Sequence, residues 1–254
     1  MRAGASNTAI TWIGRLFGRD ANTTGWPPSA APCPAIRRRI ARDLTAGDEA
    51  VFAHAAVAGL LDRLALRIGN AAYEAENGSY GLTTLKPRHL RIDGEEIAFR
   101  FPGKGGKLVQ CRLRDRRLHR ALERMQDLPG GRLFSWKDAD GAIRGVSSQG
   151  VNLWLAETAG TAGFTAKTFR TWSGTLAAFQ LARAGEATVA EMAAAAAARL
   201  HNTPAIARGS YIHPAVLDLA ADRSGLDRLR PVEMAGLRAG EGNLIAWLER
   251  AARR

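Results

Sequence analysis

Transfer of a phosphodiester needs a nucleophile that can hold the phosphate, cations around the pentavalent transition state, and an acid for the departing oxygen. Metal is not required where arginines supply the charge. A guanidinium offers a fixed fork of donors that fits phosphate oxygens, so two arginines and a lysine drawn from distant segments would form a phosphate clamp. This chain has such residues in Arg67, Arg170 and Lys104, with Tyr211 and Asn202 further on, but composition does not assemble them. Taken singly, each has an ordinary role. Tyr211 reads as a half-buried packing residue, Arg67 and Arg170 as helix-surface cations, Lys104 as a hairpin charge, and Asn202 as an N-cap or turn residue. Gly103-Lys104-Gly105-Gly106 lacks the spacing and the Ser or Thr of a P-loop, so no nucleotide site is expected. His54, His89, His119 and His201 show no metal-ligand spacing, and Cys33 and Cys111 lack close Cys or His neighbours, so no metal or cofactor is expected.

The elements that must position these groups come from 254 residues, of which 46% are hydrophobic, enough to fill a core. Lys and Arg total 36 against 24 Asp and Glu, a formal charge of +12 with a pI near 10.8. Such a balance points to a polyanionic partner, nucleic acid first. No stretch reaches the roughly 20 apolar residues of a spanning helix, and two cysteines make no disulfide framework. A reducing, cytoplasmic setting without a membrane partner is expected.

Residues 1–35 are rich in Gly, Ala, Thr and Pro and read as an irregular tail, with 36–254 as the folded domain. A capping pattern at Thr45, with Asp48 three residues on, predicts a helix with Val57, Leu60, Leu61, Leu64 and Ile68 on its apolar face, and Arg67 near its end. Ile97–Phe101 and Leu108–Leu113 read as strands, and the glycines between them put Lys104 at a hairpin tip. Helical signals then dominate. Val151–Thr158 closes at Gly160, Thr165 caps a helix running to about Gly185, and Thr188 with Glu191 forms a capping box. The alanine run 193–198 predicts a tightly packed or solvent-bridging helix. Thr203-Pro204 and His213-Pro214 read as an N-cap followed by a first-turn proline, with Tyr211 between the two helix starts.

Five ordered blocks carry a resemblance. They are Arg67-Ile68-Gly69-Asn70 with Tyr73, Asn77 and Ser79 to Leu85; Gly103 to Lys107; Leu128-Pro129-Gly130 with Leu133-Phe134 and Val151-Asn152; Phe164 to Trp172; and Asn202 to Pro214. Together they resemble the catalytic domain of compact type IB DNA topoisomerases over roughly residues 36–220. The resemblance implies an α+β, mostly helical fold of the tyrosine recombinase and type IB topoisomerase class, with a small hairpin or three-stranded sheet. It implies ATP-independent relaxation of double-stranded DNA by a monomer, through a 3′-phosphotyrosyl link to Tyr211. Arg67 and Arg170 would hold nonbridging oxygens and Lys104 would protonate the leaving 5′ oxygen. Asn202 stands where the family has His or Asn, and its neutral amide donates a hydrogen bond without an imidazolium charge. Lys167, one turn before Arg170, together with Tyr73, Asn77 and Lys107, would contact DNA.

Members of that family ordinarily open with a small β-rich domain, which residues 1–35 are too few and too irregular to form. Two alternatives stay open. Tyrosine recombinases share the tyrosine, arginines and lysine but commonly carry a histidine three residues before the second arginine, where this chain has Lys167. A non-catalytic DNA-binding remnant would bind without turnover. His213 is assigned to packing or DNA contact.

Overall fold

The computed structural model describes residues 34–160 and 163–253; Cys33 and residues 1–33 of the tail expected over 1–35 lie outside the described residues. Arg37–Thr158 form one compact unit, and Ala159 onward, with Ile36 and the described residues before it, form the other. Helix α1 (Pro34–Asp43) already begins at Pro34, two residues before the expected boundary. None of the described helices is long and apolar enough to cross a membrane.

In the unit Arg37–Thr158, helix α2 (Glu49–Leu64) starts one turn later than the Thr45 pattern predicts. Asp48 is the N-cap and accepts from the Val51 N–H at 2.9 Å, while the Thr45 hydroxyl donates back to the Arg42 carbonyl at 2.7 Å. The carboxylate closer to the apolar run therefore wins the free amide. Helix α2 ends at Leu64 because Ala65 turns left-handed, at φ 52°, and its N–H closes on the Leu61 carbonyl. Arg67 thus lies beyond the helix rather than on its last turn. After α3 (Ala71–Asn77), strands β1 (Leu90–Asp93), β2 (Glu96–Pro102) and β3 (Leu108–Arg114) form an antiparallel sheet in that order. Period-two alternation sends Ile97, Phe99, Phe101, Val109 and Leu113 inward. Helix α2 packs against β3 and against α4 (Arg116–Gln126), where Leu118, Leu122 and Met125 are buried. A two-stranded hairpin, β4 (Ser135–Lys137) with β5 (Ile143–Gly145), leads into α5 (Ser148–Ala159).

Among its described residues the second unit has helices and no strand: α6 (Ala166–Ala184), α7 (Val189–Leu200), α8 (Pro204–Tyr211), α9 (Pro214–Leu217) and, after an irregular stretch over 221–240, α10 (Glu241–Ala251). The alanine run is the packed kind, for Ala193, Ala196 and Ala197 are buried in one core with Trp172, Phe179, Met192, Leu244 and Trp247. Helix α10 is tied in at its first residue and near its middle: Trp172 Nε1 donates to Glu241 Oε1 at 3.0 Å, and Trp247 Nε1 to the Ala215 carbonyl at 2.8 Å.

The loop after α2 is held mainly by main chain, with the Thr83 hydroxyl also donating to the Ile68 carbonyl at 3.0 Å. The Arg67 carbonyl accepts from the Leu82 N–H at 2.9 Å and the Ile68 carbonyl from the Thr83 N–H at 2.8 Å, clamping the loop to a 3₁₀ turn at Leu82–Thr84. Gly81 makes this approach possible, since a Cβ there would stand 2.5 Å from the Gly69 nitrogen and 2.7 Å from the Arg67 carbonyl oxygen. Gly81→Ala should therefore cost roughly 2–3 kcal/mol through overpacking of backbone that cannot yield. Gly78→Ala meets open space at φ +60° and should lose only about 1 kcal/mol. Urea melts of the two variants check this; equal losses would mean that the Gly81 approach does not constrain the loop.

Candidate active site

Arg67 and Lys104 belong to the unit Arg37–Thr158, and one run of backbone hydrogen bonds links their segments. From Arg67 it passes to Leu82, and Tyr80, just ahead of that turn, donates its N–H to the Pro102 carbonyl at 2.8 Å, two residues before Lys104. Beyond Pro102 the hairpin tip is a 3₁₀ turn at Lys104–Gly106. The Gly103 N–H closes on the Lys107 carbonyl at 2.8 Å, and Gly105 and Gly106 take positive φ of 71° and 73°. Lys104 and Lys107 are exposed on this tip, while Arg67 is half-buried. Asn70 caps α3 by accepting from the Tyr73 N–H at 3.2 Å. Tyr73 is 38% exposed, whereas the Asn77 amide donates into its own helix, to the Tyr73 carbonyl at 3.2 Å.

Tyr211, Arg170 and Asn202 belong to the other unit, where all three are nearly enclosed, at 8%, 4% and 7% exposure. Arg170 is therefore not the surface cation its helix position suggests. Its Nη2 donates to the Leu200 carbonyl at 3.1 Å, at the C-terminal end of α7, and its guanidinium carbon lies 5.0 Å from the centroid of the Tyr211 ring. Both contacts suit a cation, one as a charge-assisted hydrogen bond and one as a cation–π contact. His201, at φ 51°, then turns the chain left-handed, and the Asn202 N–H reaches back to the Ala197 carbonyl at 2.9 Å. Thr203 makes the cap of α8, accepting from the Ile206 N–H at 3.4 Å, so the Asn202 side chain is not spent on it. Lys167 differs from Arg170 in being exposed, one turn earlier on α6.

Two residues that the sequence did not single out hold the tyrosine from behind. A Cβ on Gly174 would stand 2.8 Å from the Tyr211 carbonyl oxygen and 3.2 Å from its Cβ, so only glycine lets α6 approach this closely. The buried Thr175 hydroxyl bridges the break between α8 and α9, donating to the Tyr211 carbonyl at 3.2 Å and accepting from the His213 N–H at 3.1 Å. The available signal was their offset of four and five residues from Arg170 on one helix, which is weak without the partner helix in view. Among the described residues no three His, Cys, Asp or Glu side chains group as a metal site.

Mostly helical, with two small antiparallel sheets, the chain has the architecture of an α+β catalytic core. A family model for the eukaryotic DNA topoisomerase I catalytic core matches residues 31–206, and the chain belongs to that family. The matched stretch includes Arg67, Lys104, Lys167, Arg170 and Asn202 and stops before Tyr211. The chain is also similar to the DNA topoisomerase 1B of Acanthamoeba polyphaga mimivirus. The two are 27% identical over 170 residues, covering 61% of this chain and 50% of the viral protein. The chain thus spans about half the length of that relative.

His213 is a helix cap. Its Nδ1 accepts from the Ala215 N–H at 3.1 Å, which requires a neutral ring with the proton on Nε2. Burial lowers its pKa to about 4, against a smaller opposing pull from Asp218. Protonation is thus easier in the unfolded chain, so this contribution to stability is present above pH 6.5 and is lost as pH falls toward 4. His89, lowered mainly by burial and also by Arg88 and Lys86, adds to the same slope. His213→Asn keeps a capping side chain without the titration. Its unfolding free energy should fall less steeply with acid across that window than that of the parent, and an unchanged slope in urea melts would reject the neutral cap.

Proposed function

We propose that the chain is a type IB DNA topoisomerase, which relaxes supercoiled double-stranded DNA by cutting and rejoining one strand without ATP. The observation that carries this reading is the buried Arg170 guanidinium set against the Tyr211 ring and anchored on the Leu200 carbonyl. Family membership supports it. In the forward step Tyr211 gives its phenolic proton to water, and its oxygen forms a bond to phosphorus while the bond from phosphorus to the 5′ oxygen breaks. Lys104 gives its proton to that oxygen, leaving a 3′-phosphotyrosyl link and a free 5′-hydroxyl. Rejoining is the reverse: the 5′-hydroxyl attacks phosphorus, Lys104 recovers a proton, and the tyrosine oxygen departs.

Arg67, Arg170 and Asn202 neutralise or hydrogen-bond the nonbridging oxygens, where charge builds in the transition state. Lys167, Lys107, Tyr73 and Asn77 serve as contacts to the DNA. The reading needs neither metal nor nucleotide, because guanidinium and ammonium groups supply the positive charge. Residues 36–254 act as the catalytic domain, as a monomer on cytoplasmic, nucleoid DNA. The outward Lys104 on its glycine-rich turn suits a proton donor that must reach a substrate oxygen.

Supercoiled plasmid incubated with the chain in EDTA without ATP, then quenched with SDS, should yield relaxed circles and protein-linked nicked DNA. Tyr211→Phe removes only the phenolic oxygen, so DNA binding should persist while adduct and relaxation vanish; adduct with the Phe variant would reject Tyr211. Lys104→Ala should slow cleavage by roughly 10²–10⁴-fold, the usual worth of a general acid. A substrate with sulfur at the bridging 5′ position needs no protonation, so the defect should shrink there. Equal defects on both substrates would remove Lys104 from that role.

A further inference from the structure

The sheet has a second face. With Ile97, Phe99, Phe101, Val109 and Leu113 turned inward, the alternate residues point outward, and strand register sets them in rows. Arg91, Ala98 and Arg112 share one row, and Arg100 and Gln110 the next toward the hairpin tip. Together with Arg88, just ahead of β1, they surround a shallow concavity of about 580 Å³, and none of the residues lining it is acidic.

Nothing in the folding of the sheet calls for this row. Arg91 and Arg112 flank Ala98, a poor strand residue, and Arg100 opposite Gln110 is their diagonal neighbour, so like charges are gathered with no packing gain in return. Carboxylates lie only to one side: Arg91 pairs with Asp93 at 3.3 Å and Arg112 with Glu96 at 3.1 Å, and both acids sit in the row nearest the β1–β2 turn. Arg88 is tethered to the Tyr80 phenol, its Nη2 donating at 3.4 Å. The guanidinium forks therefore surround a space with room for an anion, and their present partners are exposed ones that exchange readily. Four arginines suit the bidentate recognition of phosphodiester oxygens, without any readout of base edges.

We propose that this outer sheet face is a second phosphate-binding surface, which grips the backbone of duplex DNA on the flank of the segment engaged at the Lys104 turn. The proposal rests on the topoisomerase reading for the presence of DNA at that turn. Strands β2 and β3 connect the two places. Arg100 is four residues from Lys104 and Ala98 six, about 13 and 20 Å along a strand. Those distances match roughly four to six base pairs of duplex. The surface therefore extends the grip on DNA without touching the reacting phosphate.

The test uses the full chain carrying Tyr211→Phe, so that binding is read without cleavage. Fluorescence anisotropy with a duplex of about 24 base pairs, titrated over a series of salt concentrations, measures affinity and the salt slope. Arg100→Gln with Arg112→Gln should weaken binding and make the slope shallower by about 0.9 for each phosphate that is no longer neutralised. Glu96→Gln acts in the opposite sense: removing the carboxylate that competes for Arg112 should tighten binding. Unchanged affinity and slope in both variants would overturn the proposal while leaving the topoisomerase reading intact, and failure of the Tyr211→Phe chain to bind any duplex would overturn both. A further arm adds labelled duplex to protein already loaded on immobilised duplex. Capture of the second duplex that depends on Arg100 and Arg112 would show that the face holds a separate segment, and would overturn the flank assignment.

Discussion

A buried guanidinium cannot be left unsupported, and much of the helical unit is arranged around the one at Arg170. Removing such a cation from water costs several kcal/mol unless partners replace the missing hydration. Two of the partners come from helix ends: the Leu200 carbonyl, at the last residue of α7, and the face of the Tyr211 ring on the last residue of α8. Both must reach α6 at the same level. That requirement accounts for the alanines of α7, which let it lie close, and for Gly174, where any side chain would push Tyr211 away. The left-handed turn at His201 reverses the chain so that the end of α7 and the end of the following helix, α8, meet a single arginine.

Tyr211, the proposed nucleophile, is fixed by what lies behind it more than by its own helix. Eight residues of α8 form too short a helix to be stable by themselves. The Thr175 hydroxyl joins the two sides of the break after Tyr211, and the neutral His213 ring caps the short helix that follows. Helix α10 closes the far side through Trp172 and Trp247. A phenol held this way gives up little further freedom when it meets a phosphate, which is the advantage of preorganisation in a reaction carried by positioning and charge.

In the unit Arg37–Thr158 the same end is reached mostly with main chain, helped by the Thr83 and Thr84 hydroxyls. Amides and carbonyls join the Arg67 loop to the Leu82–Thr84 turn, and Tyr80 joins that region to β2. Lys104 then stands beside glycines that adopt positive φ, outward on a compliant turn. Rigid backbone under one cation and a yielding tip under the other suit the different tasks proposed for them, binding charge in the first case and moving a proton in the second.

Local structure and the inventory of the site follow from the order of residues alone. Turn glycines and alternating strands put Lys104 on a hairpin tip, caps at Thr188, Thr203 and His213 start the last helices, and the ordered blocks point to the family. These signals lie within a few residues of one another, where spacing and capping chemistry decide the outcome. The choice of Asp48 over Thr45 as a cap escapes such reading, because two oxygens compete for the same amides and their distances to the helix decide. Folding in three dimensions was needed to bury Arg170 against Tyr211, to press Gly81 on Gly69, and to seat the tyrosine on Gly174 and Thr175. Each of these contacts joins residues far apart in the chain or on different elements, and packing density, which no local pattern encodes, sets which small residue stands where two backbones meet.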